Sequence, residues 1–238
     1  ILYLSATPIP RTYAMTIYGD LDISYIKTKP NGRKVIITKV KKNSEIKEVL
    51  GLMLEQIKLG HQIYVVSPLV EDDESLNLTS VNLLKEKLTL AFKNLFRIEI
   101  IHGKMKPSEK ESIMNDFKNN QIKILIATTV IEVGIDVSNA TMMVIFNAER
   151  FGLATLHQLR GRVGRSDLQS YCYLISDSDN DRLKVMEESN DGFYISQKDF
   201  EMRGHGDLFG VKQHGDMSFK LANLKNDYNI LLFANEDA

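Results

Sequence analysis

From Ser44 onward the chain alternates two kinds of apolar pattern. Ile46, Val49, Leu50, Met53, Leu54 and Ile57 recur every three or four residues, the period of a helix that buries one face. Ser44 reads as its N-cap and Gly60 as its stop, which predicts a helix to Leu59. Residues 63–66 are then apolar without interruption, as in a strand covered on both sides. The same alternation continues with a helix over about 78–94, a strand at 98–101 and a helix over about 107–118. Strands at 122–127 and 141–146, a helical turn through 158–165 and a strand at 171–175 follow. Continuously apolar strands separated by helices predict a parallel sheet with helices on both faces, so the fold class is α/β.

The two ends depart from this rhythm. Residues 1–4 form a short apolar run that enters Ser5-Ala-Thr-Pro-Ile-Pro-Arg11, where the prolines halt a strand and start a helix from Pro10 to about Tyr18. Residues 27–42 carry seven Lys or Arg and no acid, around a Pro30-Asn31-Gly32 turn and a strand at 35–40. This stretch is either a solvated edge strand guarded by lysines or a contact with a nucleic-acid backbone. After about Asp179, two short helical stretches, at 179–189 and 196–203, lead into a glycine-punctuated loop from Arg203 to Gly215 and a final helix. The expected segments are therefore 1–22, 23–178 and 179–238. A start without Met inside an apolar run reads as a piece of a longer protein.

Composition narrows the function classes. With 30 Lys and Arg against 31 Asp and Glu, the 238-residue chain has a net charge of -1, so any nucleic-acid surface has to be local. Its single cysteine, Cys172, lies in the apolar run 171–175 and reads as core, which excludes an intrachain disulfide framework and fits a reducing cytoplasm. No apolar segment reaches membrane-spanning length and no basic leader precedes one, so no membrane partner is expected.

The candidate chemistry centres on Gln158-Leu-Arg160-Gly161-Arg162-Val-Gly164-Arg165. Three guanidinium groups set among glycines suit phosphate oxygens, which match the planar donor fork of arginine. Arg162 and Arg165 share a face if this segment is helical. Gly161 and Gly164 each cost about 1 kcal/mol relative to Ala inside a helix, so local stability does not account for them. The alternative is a solvated basic helix end. In an open parallel sheet, ligands bind outside the carboxyl ends of strands. Ser67, His102 with Lys104, and Thr128 with Thr129 occupy such positions and suit a phosphate-rich strand. Gly134 allows an unusual turn before Asp136, whose carboxylate either accepts from a ribose hydroxyl near the arginines or caps a turn. Glu71-Asp-Asp-Glu74 imitates a magnesium-binding strand end, yet no G-x-x-x-x-G-K-[ST] occurs in the sequence, so the acids read as a solvated loop. Five histidines and one cysteine show no metal-ligand spacing, and no metal site is expected.

With these motifs in order, the chain resembles the C-terminal part of a superfamily 2 helicase, and within that superfamily the RecG family of branched-DNA translocases. Ser5 to Arg11 matches motif III and its extension, Ala127 to Val137 matches motif V, and Gln158 to Arg165 matches the Q-x-x-G-R-x-G-R pattern of motif VI. The tail from about Asp179 to Gly215, including Asp199 to Gln213, resembles the helical hairpin and loop shared with the transcription-repair coupling factor, although His205 stands where many relatives have proline. Tyr18-Gly-Asp-Leu-Asp22 and the 67–74 loop favour the RecG side. The resemblance implies that 1–22 ends a first RecA-like lobe, 23–178 is a second RecA-like lobe and 179–238 is a translocation motif. It implies ATP with Mg²⁺, held mainly by the first lobe, with Gln158, Arg162 and Arg165 completing the catalytic site and Gly134 and Asp136 near the nucleotide. It implies DNA contacts or coupling at Ser5, Thr7, Arg11, Ser67, His102, Lys104, Thr128, Thr129, Arg203 and Gln213. The implied partners are branched and duplex DNA, the first lobe and wedge domain of the parent chain, and single-strand DNA-binding protein. The alternatives are the equivalent lobe of the coupling factor and a DNA-binding module without catalytic purpose.

Overall fold

The computed structural model describes residues 24, 26, 33–68, 74–128 and 137–207. Two compact units divide the chain. The larger is Lys29–Asn190, and of the smaller only residues 24, 26 and 191–207 are described.

The larger unit runs β1 (Ile37–Lys41), α1 (Ile46–Lys58), β2 (Gln62–Val66), α2 (Glu74–Ala91), β3 (Ile98–Ile101), α3 (Pro107–Lys118), β4 (Ile124–Ala127), β5 (Ala140–Phe146), α4 (Leu153–Arg160), β6 (Tyr171–Ile175) and α5 (Asp181–Glu188). The smaller unit contributes α6 (Gly192–Asp207). Local chemistry sets the ends of these elements. After α1, Gly60 turns to φ +88°, its N–H donates to Ile57 O, and the His61 N–H reaches Gln56 O at 3.0 Å. That double closure satisfies carbonyls the helix would otherwise orphan, and a left-handed φ is what glycine supplies there. Pro107 opens α3, and the Glu109 carboxylate accepts from the Lys106 N–H at 3.2 Å.

Two expectations at helix starts change. Ser44 is not an N-cap: it sits within a 3-10 turn, Asn43–Glu45, where the Glu45 carboxylate accepts from the Lys42 N–H at 2.9 Å. The charged acceptor three residues on takes the capping role that the serine hydroxyl was expected to fill. Glu74 is no loop residue either, because it begins α2.

The six strands form one sheet in the order β1-β6-β5-β2-β4-β3, and every pair is parallel. Alternation along the strands sends successive side chains to opposite faces. Ile63, Val65, Ile124, Ile126, Met142 and Val144 meet Val49, Met53 and Ile57 of α1, Val81 and Leu88 of α2, and Phe92 just after it. Neighbours of opposite parity serve the other face, where the Tyr64 ring packs on Phe117 of α3 with centroids 4.9 Å apart. Leu153, Leu156 and Leu159 of α4 and Leu183 and Met186 of α5 are buried as well. Each fully buried aliphatic side chain contributes about 1.5–3 kcal/mol, and two filled faces keep the strand ends rigid. Cys172 is wholly buried in β6, and that burial pushes its thiol up to about 12, so it stays protonated and inert.

The outer edge of β1 is covered by side chains. Glu187 of α5 accepts from the Val40 N–H at 3.3 Å and lies 3.6 Å from the Lys39 ammonium, and Asn190 donates to Ile36 O at 3.1 Å. These bonds occupy groups that would otherwise template another strand.

Candidate functional site

The arginine octamer divides into two parts with different fates. Helix α4 carries Gln158 and ends at Arg160, and Gly161 caps it with helical backbone angles. Arg160 is 1% exposed. Its Nη1 donates to Met186 O at 2.7 Å, Ser189 O at 2.9 Å and Thr38 Oγ1 at 3.2 Å, and its Nη2 lies 3.1 Å from His157 Nδ1. Burial lowers the pKa of this guanidinium, which nevertheless remains charged at any physiological pH. Arg160 is therefore a structural tie from the end of α4 to β1 and the end of α5. Its expected membership of a three-arginine phosphate cluster does not hold, because the side chain is buried and its Nη1 is tied to protein acceptors.

Arg162 and Arg165 lie beyond the helix and are half-buried. Arg165 donates from Nε to Gly161 O at 3.2 Å. Among the described residues, neither Gln158 nor Arg162 has a side-chain hydrogen bond or ion pair. Gly164 turns to φ +72°, and a Cβ there would stand 2.8 Å from Ile36 Cγ1, so only glycine fits. The Gly164 N–H donates to the buried Ser170 Oγ at 3.1 Å, and the Ser166 hydroxyl donates to Ser138 O at 2.9 Å. Ile36, Ser138 and Ser170 precede β1, β5 and β6, so the loop bearing Arg162 and Arg165 lies at the amino ends of the strands. Sequence reasoning missed Ser138, Ser166 and Ser170. The only available signal was a short polar side chain directly after the last arginine.

The second set occupies the opposite rim. Ser67, Thr128 and His102 follow β2, β4 and β3, which are adjacent in the sheet and end level with one another, Val66 and Ile101 both pairing with Ala127. Neighbouring strands stand about 4.8 Å apart, so the three backbones lie side by side within about 10 Å. The Ser67 N–H donates to Ala127 O at 3.0 Å, and Ser67 and His102 are half-buried. Lys104 is exposed, and Lys110 donates to Gly103 O at 2.7 Å to brace the loop from α3. Burial, helped by the Lys110 charge, holds His102 below the usual histidine range, so it is neutral at physiological pH. Thr128, whose hydroxyl was expected on this rim, is 3% exposed. Among the described residues, the accessible groups of this rim are Ser67, His102 and Lys104.

In the basic stretch, Lys39 pairs with Glu187 and Lys41 lies between Glu45 and Glu48 at 3.0 and 2.8 Å. Hydrogen bonds to Glu48 and then Glu45 raise the Lys41 pKa. These lysines guard the edge strand, the first of the two readings, and Arg33, Lys34 and Lys42 remain exposed. Ser5, Thr7, Arg11, Thr129, Gly134, Asp136 and Gln213 lie outside the described residues, as does the side chain of Arg203, whose backbone belongs to α6. Among the described residues no group of three or more His, Cys, Asp or Glu side chains could hold a metal ion, and no helix is long and apolar enough to cross a membrane.

A parallel sheet with an arginine loop at one rim and a hydroxyl, imidazole and lysine at the other defines a helicase-type lobe. Residues 41–167 match the family described as Helicase conserved C-terminal domain, and the chain belongs to that family. The particular likeness is to RecG. The chain is 46% identical over 235 residues to the ATP-dependent DNA helicase RecG of Streptococcus pneumoniae, covering 97% of this chain and 35% of that protein. It is 47% identical over 243 residues to the RecG of Staphylococcus aureus strain NCTC 8325, covering 100% of this chain and 35% of that protein. The chain thus spans about a third of the length of these relatives. A solved structure of RecG bound to a three-way DNA junction superposes with a TM-score of 0.75 at 40% identity, over 95% of this chain and 30% of that one. These matches support a RecG-type C-terminal helicase lobe with the RecA-like architecture expected from the sequence.

Proposed function

We propose that this chain is the second motor lobe of an ATP-driven double-stranded DNA translocase that remodels forks and Holliday junctions in recombination and repair. The observation that carries the reading is Arg162, a half-buried guanidinium with no partner among the described residues, on a loop pinned by its neighbours. A charge kept partly out of water without a counterion invites an anion. In this reading Arg162 and Arg165 reach the γ-phosphate of ATP from across a cleft, and Gln158 flanks them. Gly134 and Asp136 meet the ribose side. The phosphate loop and the acids that hold Mg²⁺ belong to a first lobe outside this sequence, which contains no G-x-x-x-x-G-K-[ST].

Arginines supplied across a cleft give about 10³–10⁵ in rate, or roughly 4–7 kcal/mol of transition-state stabilisation. They do not replace a missing phosphate loop. Release of the γ-phosphate removes what Arg162 and Arg165 hold, and the cleft opens. Ser67, His102, Lys104 and Thr129 lie against the DNA backbone, Ser5, Thr7 and Arg11 couple closure to movement, and Arg203 and Gln213 belong to the lever that pushes the duplex. Segments 1–22, 23–178 and 179–238 then serve as the end of the first lobe, the second lobe and the lever. Duplex and branched DNA, a wedge domain of the parent chain and single-strand DNA-binding protein are the partners, in the cytoplasm. The test is ATP hydrolysis by this chain alone, by the chain with a first lobe added in trans, and by the full-length parent with forked or linear duplex. Background turnover alone, recovery in trans and stimulation by forks are expected. Robust turnover by the chain alone refutes the composite site.

A further inference from the structure

The arginine loop is held by groups that take no part in the motifs of this family. Gly164 adopts a left-handed backbone under Ile36, and its N–H is fixed by the hydroxyl of Ser170, a residue 2% exposed at the foot of β6. One residue past Arg165, Ser166 ties the far end of the loop to Ser138 O at 2.9 Å, and its oxygen also accepts from the Leu168 N–H at 3.4 Å. Ser138 lies two residues before the start of β5. A loop of five residues between α4 and Ser166 is thus clamped at both ends and at its tightest turn.

We propose that Ser166 and Ser170 are positioning residues for Arg162 and Arg165. Two short hydroxyls hold the loop so that both guanidinium groups meet the nucleotide without first being ordered. The bond from Ser166 to Ser138 also joins the arginine loop to the backbone that leads into β5. Serine suits both places because its hydroxyl both donates and accepts within one bond of the backbone. Pre-ordered cations stabilise developing charge at no reorganisation cost, whereas a misplacement of about 1 Å costs up to roughly 100-fold in rate.

This inference rests on the reading of Arg162 and Arg165 as nucleotide contacts, and the experiment separates the two. In the full-length parent protein with forked DNA, kcat and KM for ATP are measured for Ser166→Ala, Ser166→Thr, Ser170→Ala, Arg162→Ala and Arg165→Ala. The expected result is a kcat about tenfold lower or more in both alanine variants of serine, with KM changed less than about twofold, because the arginines act on the transition state. Ser166→Thr keeps the hydroxyl and restores kcat. Ser166 is half-buried on the surface, so its alanine variant folds even if removal of the buried Ser170 hydroxyl does not. Full kcat in Ser166→Ala, or a loss that threonine does not restore, overturns the positioning role. Full kcat in Arg162→Ala and Arg165→Ala instead overturns the reading beneath it.

Discussion

Arg160 and Arg162 are two residues apart in one motif, yet the structure assigns them opposite work, and alanine substitution separates them. Arg160→Ala deletes the donors that satisfy Met186 O, Ser189 O and Thr38 Oγ1, in a place where the side chain is 1% exposed. An orphaned buried polar group costs about 1–3 kcal/mol, and water entering the vacated space recovers part of it. Three acceptors and the lost packing together amount to about 3–5 kcal/mol. In a chain of this size 1 kcal/mol shifts Tm by roughly 2–4 °C, so a fall of roughly 6–20 °C is expected. Arg162→Ala removes a half-buried side chain that holds nothing in the fold, and its cost is about 0.5 kcal/mol or less. Urea denaturation of the isolated chain followed by circular dichroism reads both numbers, with the slope m checking that the unfolding unit is unchanged. If the two variants unfold within about 1 kcal/mol of each other, the assignment of Arg160 as a structural tie is refuted.

Three further outcomes follow from the described geometry and from the proposed mechanism. Gly164→Ala forces a side chain into a left-handed backbone and against Ile36, at a cost of about 2–3 kcal/mol in the same urea assay, and a loss under about 0.5 kcal/mol contradicts the turn. His61 and His102 are both held below 6.5, His61 by burial and then the Lys123 charge, His102 by burial and then the Lys110 charge. The unfolded chain therefore takes up protons first, so stability is full above about pH 6.5 and falls as pH drops through that value toward the folded pKa values. Melting at pH 7.5 and 5.5 shows the drop, and the double variant His61→Asn with His102→Asn should lose most of it. In the full-length parent, Gln213→Ala is expected to spare DNA-stimulated ATP hydrolysis and abolish fork unwinding, while Arg165→Ala loses both. Equal loss of the two activities in Gln213→Ala excludes the lever role.

The strands were legible because a sheet covered on both faces writes an unbroken apolar run, and 98–101 and 171–175 match to the residue. Helix ends were less so. Ser44 looked like a cap by residue type, but a carboxylate three residues after Lys42 reached the backbone first. Within the octamer, the pattern announced arginines and glycines without saying which guanidinium would be buried. A signal was present: Arg160 falls on the same helical stripe as Leu156 and Leu153, four and seven residues back, and that stripe is the buried one. The rule that ligands sit at carboxyl strand ends located Ser67, His102 and Lys104 but was silent on the arginine loop. Helix α4 has eight residues and is about 12 Å long, and with the segments on either side it carries the chain from one rim back to the other. The burial of Thr128 was not legible either, because its position after β4 says nothing of its exposure.

That crossing has a mechanical consequence. The guanidinium loop, before β1, β5 and β6, and the Ser67 row, after β2, β4 and β3, stand at opposite rims of one sheet, and a five-residue strand such as β2 is roughly 17 Å long. A slab packed on both sides does not bend, so it tips as a plate. Rotated by about 12° around its arginine end, it would sweep the far end by roughly 3.4 Å, the rise of one base pair along a duplex.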